Sequence, residues 1–177
     1  IQTLKDNGYE PFIATGRSSA ETRDIMESAN IHSGIFMNGQ VVLYQGKRVY
    51  SSEIPTEMVK KFHQMVKEDG YGFTAYNDKE FYLVESTDGA KDAYGFIHTN
   101  PPALNADFYI DNPINMLLFI CLPPAEEKYK VAFPNLDFLR NTPYSVDVIS
   151  KGNSKAEGIK RFLEYLNPED AETYAFG

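Results

Sequence analysis

The chain has 177 residues, 42% of them hydrophobic and 24% charged, enough apolar material for one ordinary domain or two small ones. A formal charge of −8 argues against a surface for nucleic acid or anionic membrane, which needs clustered Lys and Arg. The longest apolar run, Met116 to Leu122, is far short of the roughly 20 residues that span a bilayer, and no basic, apolar leader opens the sequence.

Ile1 and Leu4 ahead of Lys5-Asp6-Asn7-Gly8 read as the last turn of a helix with an Asn-Gly stop, so the chain is expected to begin inside an element, as a fragment would. Tyr9 to Ala14 is a nearly continuous apolar run, as in a strand covered on both faces. Ser18 to Ala29 reads as a helix opened by the capping box Ser18-x-x-Glu21, and Ile35-Phe36-Met37 as a second strand ending at Asn38-Gly39. This strand–helix–strand order is an α/β signature. Val41 to Tyr44 and Lys47 to Ser51, across Gln45-Gly46, predict a hairpin.

From about Ile54 the pattern changes. Thr56 to Asp69 carries Met58, Val59, Phe62, Met65 and Val66 at helical spacing, closed by Gly70. Strands are expected at Tyr71 to Tyr76, Glu80 to Glu85 and Asn115 to Leu122, and helices at Lys91 to His98 and Glu126 to Val131. That grouping predicts an α+β unit with an antiparallel sheet, inserted over residues 54–143, with Phe62, Met65, Phe81, Leu83, Leu117 and Phe119 as its core. Val146 to Ile149 is expected to return to the first unit, so that residues 1–53 and 144–177 form one core. A helix follows with Ser154-x-x-Glu157 at its start, Ile159, Phe162, Leu163 and Leu166 on one face and Asn167-Pro168 at its end. Tyr174-Ala175-Phe176 begins another short strand.

Two places carry chemistry. Thr15 stands where a strand gives way to a helix, the end of an open α/β sheet at which ligands bind. Gly16 permits close approach, the helix-start amides attract an anion, and the Thr15 hydroxyl and Arg17 guanidinium complete a small phosphate cradle. A plain turn with a solvent-facing arginine has the same pattern. Lys155, in the first turn of its helix, meets the positive end of the macrodipole at a cost of about 0.3–1 kcal/mol, which a nearby anion would offset. A solvated lysine is the bland alternative. His32, His63 and His98 lack ligand spacing, so no metal ligand is assigned. The lone Cys121 cannot form an internal disulfide, and a cytoplasmic setting fits.

The A-T-G-R-S run at 14–18, F-M-N-G at 36–39, S-K-G-N-S-K-A-E-G-I at 150–159 and the terminal Y-A-F-G resemble Cof-type sugar phosphatases of the haloacid dehalogenase superfamily. The resemblance implies a partial Rossmann-like α/β core with an inserted α+β cap. It implies a Mg²⁺-dependent phosphomonoesterase acting on a small phosphorylated metabolite such as a sugar phosphate, through an aspartyl-phosphate. Thr15 would bind the transferring phosphoryl group, Lys155 would steady the charges, and Gly16, Arg17 and Asn38 would lie near the substrate. The family's D-x-D-G-T and D-x-x-N-D segments match nothing in this sequence, and Asp6, Asp24 and Asp147 do not fit them. Nucleophile and Mg²⁺ ligands are therefore expected outside the chain, which alone is expected to be inactive. The competing reading is a non-catalytic module that binds or senses a phospholigand. A nucleotide-binding domain is disfavoured because neither G-x-G-x-x-G nor G-x-x-x-x-G-K-[ST] occurs. Substrate and oligomeric state are not encoded in any motif.

Overall fold

The computed structural model describes residues 1–167 and 172–176, which form a mixed α/β structure built on two sheets. Helix α1 (Gln2–Asp6) stops at Asn7, with Gly8 left-handed at φ 83°, as the Asn-Gly signal predicts. Strand β1 (Ile13–Ala14) pairs in parallel with β2 (Gly34–Phe36) for two residues only, and Ala14 is exposed, so the expected covering on both faces is not found there. Helix α2 (Ser19–Ser28) lies between them with both halves of its capping box formed. Strands β3 (Val41–Tyr44) and β4 (Lys47–Ser51) follow antiparallel, turning through left-handed Gln45 and Gly46, to give the order β1-β2-β3-β4.

Helix α3 (Thr56–Asp69) buries Val59, Phe62 and Val66, the stripe its spacing predicts, and ends on left-handed Gly70. Next come β5 (Gly72–Tyr76), β6 (Phe81–Glu85), α4 (Ala90–Phe96), α5 (Phe108–Asp111), β7 (Met116–Ile120) and α6 (Glu126–Ala132). The sequence reading missed the next strand, β8 (Leu136–Arg140). Strand β9 (Ser145–Ser150) completes a fully antiparallel sheet in the order β6-β5-β7-β9-β8. The expectation that residues 146–149 rejoin the first sheet is therefore corrected. Their backbone hydrogen bonds go to β7 and β8, and a division at 143 cuts through the second sheet.

The five-stranded sheet has two differently used faces. Val59, Phe62, Val66, Phe73, Leu117, Phe119, Val146 and Val148 pack with Tyr129 and Phe133 into one core under α3 and α6. The period-2 alternation sends Tyr76, Met116 and Ile149 to the opposite face, where they meet Met26, Phe36, Met37 and Val41 of the first unit. Two residues assigned by sequence to the first core, Phe81 and Leu83, belong to this second face; Tyr82 and Val84 take their places.

Helix α7 (Lys155–Leu166) covers the other face of the first sheet, with Ile159, Phe162 and Leu166 against Ile35 and Val42. Its stop signal is half described: Asn167 is left-handed at φ 46°, whereas Pro168 lies outside the described residues. The two passages between units run together, since Asn115 Nδ2 donates to Ser51 Oγ and the Ser52 carbonyl, and Asn153 Nδ2 donates to Ser52 Oγ. Tyr174 to Phe176 forms no strand and Phe176 is exposed, which corrects that expectation; Gly177 lies outside the described residues.

Candidate functional site

The ends of β1 and β2 are tied together by backbone. Thr15 N–H donates to the Ile35 carbonyl at 2.9 Å, Asn38 N–H to the Thr15 carbonyl at 3.2 Å, and Met37 N–H to the Arg17 carbonyl at 3.0 Å. Met37 and Asn38 are both left-handed, at φ 49° and 55°, a conformation costing non-glycine residues about 1–3 kcal/mol unless the surroundings impose it. The lacing to Thr15 and Arg17 is what imposes it here. A Cβ on Gly16 would sit 3.1 Å from Asn38 Oδ1, so the glycine lets the two turns close on each other.

Thr15 Oγ1 accepts Arg17 N–H at 3.1 Å, which leaves its hydroxyl proton to be donated elsewhere. The helix-start amides are less open than the sequence suggests. Ser18 N–H and Oγ–H both donate to Glu21 Oε2, at 2.8 and 2.9 Å, and Glu21 N–H donates to Ser18 Oγ. The Glu21 carboxylate thus already supplies the negative charge that the N-terminus of α2 favours. Attraction of a further anion falls to the Thr15 hydroxyl, the exposed Arg17 guanidinium and Lys155.

Lys155 is the first residue of α7, and two glycines dock that helix start on the turn after β2. A Cβ on Gly39, at φ 92°, would collide with the Ser154 carbonyl, with its carbon only 2.8 Å away. A Cβ on Gly158 would collide with Ile35 and lie 3.1 Å from Gly39 Cα. Ser154, as N-cap, accepts Glu157 N–H at 3.1 Å. Lys155 is exposed and makes no ion pair among the described residues, so its charge is uncommitted. Four of the five sequence-chosen residues therefore share one turn cluster, and the fifth opens the helix docked on it.

Asp147 was passed over in the sequence, yet it belongs here. It is 9% exposed on β9, and its Oδ2 accepts from Asn38 Nδ2 at 3.0 Å and Asn141 Nδ2 at 2.7 Å. Burial pushes its carboxyl up to about 6; the two amides and the charge of Lys155 pull down, and Glu21 pushes up. The same field identifies the neighbourhood: burial raises the Tyr76 and Tyr94 phenols, with Glu21 adding to both. Tyr94 OH lies 2.6 Å from Thr74 Oγ1 and 3.1 Å from Tyr76 OH, so these two tyrosines are satisfied packing groups rather than a stacking surface. The available signal for Asp147 was an acid between two valines in a strand; which face it took was not written locally.

Among the described residues no group of three or more His, Cys, Asp or Glu side chains could hold a metal ion. Asp147 has one oxygen held by two amides and Glu21 is consumed in the helix cap, so this donor set does not fit Mg²⁺. No helix among these residues is long and apolar enough to cross a membrane.

Comparison with known proteins bears on the family and the fold. The family model for haloacid dehalogenase-like hydrolases matches residues 1–177. A Bacillus subtilis (strain 168) protein named "Putative phosphatase YkrA" is 34% identical over 179 residues, covering 100% of this chain and 69% of that protein. The crystal structure of a hypothetical protein from Geobacillus kaustophilus HTA426 superposes with a TM-score of 0.87 at 25% identity, covering 94% of this chain and 65% of that one. The subclass IIB sugar phosphatase BT4131 shares the fold, with a TM-score of 0.78 at 21% identity over 95% of this chain and 66% of its own. The chain thus spans about two thirds of the length of these relatives. With its motifs, its two-sheet architecture and a match over its whole length, the chain belongs to the haloacid dehalogenase-like hydrolases.

Proposed function

We propose that the whole protein is a phosphomonoester hydrolase whose substrate is a small phosphorylated metabolite such as a sugar phosphate. The observation that carries this is the docking of α7, which Lys155 opens, through Gly39 and Gly158 on the turn after β2 that is itself laced to Thr15 and Arg17. In this reading residues 1–53 and the segment from 151 onward form the core, and residues 54–150 form the cap. The strand pairing of β9 supports that division over one at 143. YkrA, by its name a putative phosphatase, supports the reaction class.

The residues divide the work by chemistry. Thr15 donates its hydroxyl proton to a phosphoryl oxygen, and Arg17 adds long-range attraction. Lys155 supplies a fixed positive charge where negative charge accumulates during transfer, which is worth more in a water-poor site than in solvent. Asn38, with its amide committed to Asp147, borders the site rather than reaching freely into it. Mg²⁺, a cytoplasmic setting and an aspartate nucleophile are part of the proposal, with nucleophile and ligands supplied from outside these 177 residues.

Steady-state kinetics on the whole protein with p-nitrophenyl phosphate test this. Lys155→Met is expected to lower kcat about 10²–10³-fold, the usual effect of losing one transition-state electrostatic group. Thr15→Val removes a neutral hydrogen bond and should cost less. The double variant should lose less than the combined single effects, as groups acting on one phosphoryl are non-additive. A folded Lys155→Met protein with wild-type kcat/KM overturns the assignment.

A further inference from the structure

Asp147 is placed in a way that sheet packing does not explain. On β9, Val146 and Val148 turn into the helix-covered core, whereas Asp147 turns to the face shared with the first unit. Its cross-strand neighbours are Leu118 on β7 and Leu139 on β8, and Met116 and Ile149 lie on the same face. A lone carboxylate among such neighbours is costly unless its charge is used.

Its partners are as informative. No Lys, Arg or His forms an ion pair with it among the described residues. Both hydrogen bonds come from neutral amides, and both go to Oδ2. Oδ1 accepts from no protein donor among the described residues. It is not sealed in, in contrast to the Gln40 amide atoms and Asn115 Oδ1, which are buried without partners. Asn38 holds the carboxylate from the same turn whose Oδ1 borders Gly16. One oxygen is therefore clamped in position by Asn38 and Asn141, and the other is left without a protein donor among the described residues.

We propose that Asp147 Oδ1 is a specificity-determining acceptor for a hydroxyl on the alcohol part of the substrate. The inference rests on the phosphatase reading of the site and refines it. An oxygen without donors selects neutral, hydroxyl-bearing phosphomonoesters, such as those of sugars and polyols. The same charge repels a second anionic group, so phosphorylated carboxylic acids and bisphosphates are disfavoured. Asn38 and Asn141 act as positioning residues that fix the carboxylate.

The test compares substrates on the whole protein. Wild type is assayed with glucose 6-phosphate, its deoxy analogues, 3-phosphoglycerate and p-nitrophenyl phosphate, whose leaving group carries no aliphatic hydroxyl. Asp147→Asn preserves an oxygen for the two amide donors and removes the open, charged acceptor. Its ratio of kcat/KM for glucose 6-phosphate to that for p-nitrophenyl phosphate should fall about ten- to a hundredfold, chiefly through KM, as for loss of a hydrogen bond to a charged group. Wild type itself should prefer glucose 6-phosphate to at least one deoxy analogue and to 3-phosphoglycerate. An unchanged ratio in the variant, or equal wild-type use of the hydroxylated and deoxy esters, overturns the inference alone. If wild type hydrolyses none of these esters, the phosphatase reading fails and the inference falls with it. If the variant does not fold, the wild-type substrate series decides.

Discussion

Replacing Asp147 with Asn removes a buried charge while keeping an acceptor for Asn38 and Asn141, so its effect on stability isolates the cost of that charge. The replacement amide NH₂ would occupy the place of Oδ1, where no protein donor stands to clash with it. Burial raises the folded carboxyl from 3.8 to about 6. At 1.36 kcal/mol per pKa unit this amounts to about 3 kcal/mol against the native state once the group is ionised. The sign follows from linkage. Below the unfolded pKa the acid is protonated in both states and costs nothing. As pH rises through the folded pKa, the unfolded chain has already released its proton, and native stability is lost. The variant should therefore exceed wild type by up to about 3 kcal/mol at pH 8, or roughly 6–12 °C in Tm for a chain of this size. The gain should shrink toward zero as the pH approaches 4. Urea unfolding of both proteins from pH 4 to 8 measures it. A variant no more stable than wild type at pH 8, or a gain independent of pH, refutes the reasoning.

Two structural predictions stand apart from Asp147. Gly39→Ala should destabilise the protein more than Gly46→Ala: both glycines are left-handed, but only at Gly39 does the added carbon meet backbone, that of Ser154. Equal losses in thermal melts would show that the docking of α7 does not depend on Gly39. Arg140→Met should cost about 3–5 kcal/mol by urea unfolding at neutral pH, because it strands a buried carboxylate. Arg140 Nε and its second guanidinium nitrogen each meet a Glu126 oxygen at 2.7 Å, and its remaining nitrogen donates to the carbonyls of Cys121, Thr142 and Pro143. The arginine holds the Glu126 carboxyl below its usual range, so this contribution should fade on acidification. A loss below about 1 kcal/mol, typical of a surface pair, would contradict it.

What the sequence disclosed was whatever local rules write down. The capping box at Ser18 and Glu21, the stripe of Val59, Phe62 and Val66, and the left-handed stop at Gly70 each depend on residues within two turns of one another. Thr15, Gly16 and Arg17 were legible as a strand-to-helix turn, whereas their tie to Ile35, Met37 and Asn38 was not. What was not disclosed depends on partners distant in the chain. Leu136 to Arg140 is a strand because Val146 to Ser150 lies beside it; its own pattern, with Asp137 and Arg140 on either side of two apolar residues, is too short to speak. The segment 146–149, apolar but for Asp147, identifies a strand without naming its sheet. Phe81 and Leu83 alternate correctly, and alternation is silent about which face is the core.

The misplacement of β9 and the neglect of Asp147 therefore have one cause. Placed in the first sheet, Asp147 would be one more acid near a core strand. Paired with β7 and β8, it becomes a group of the second unit turned toward the first, held by Asn38 across the gap. The chain then leaves β9 at Ser150, turns through Gly152 and enters α7 at Lys155. One short stretch thus carries a carboxylate on the second unit and an ammonium at the start of the helix docked on the first. Their separation is set by a strand end, a turn pinned by Asn153 to Ser52, and the docking of Ser154 on Gly39. Any movement of the second unit over the first would have to bend this connection and break the Asn38–Asp147 hydrogen bond.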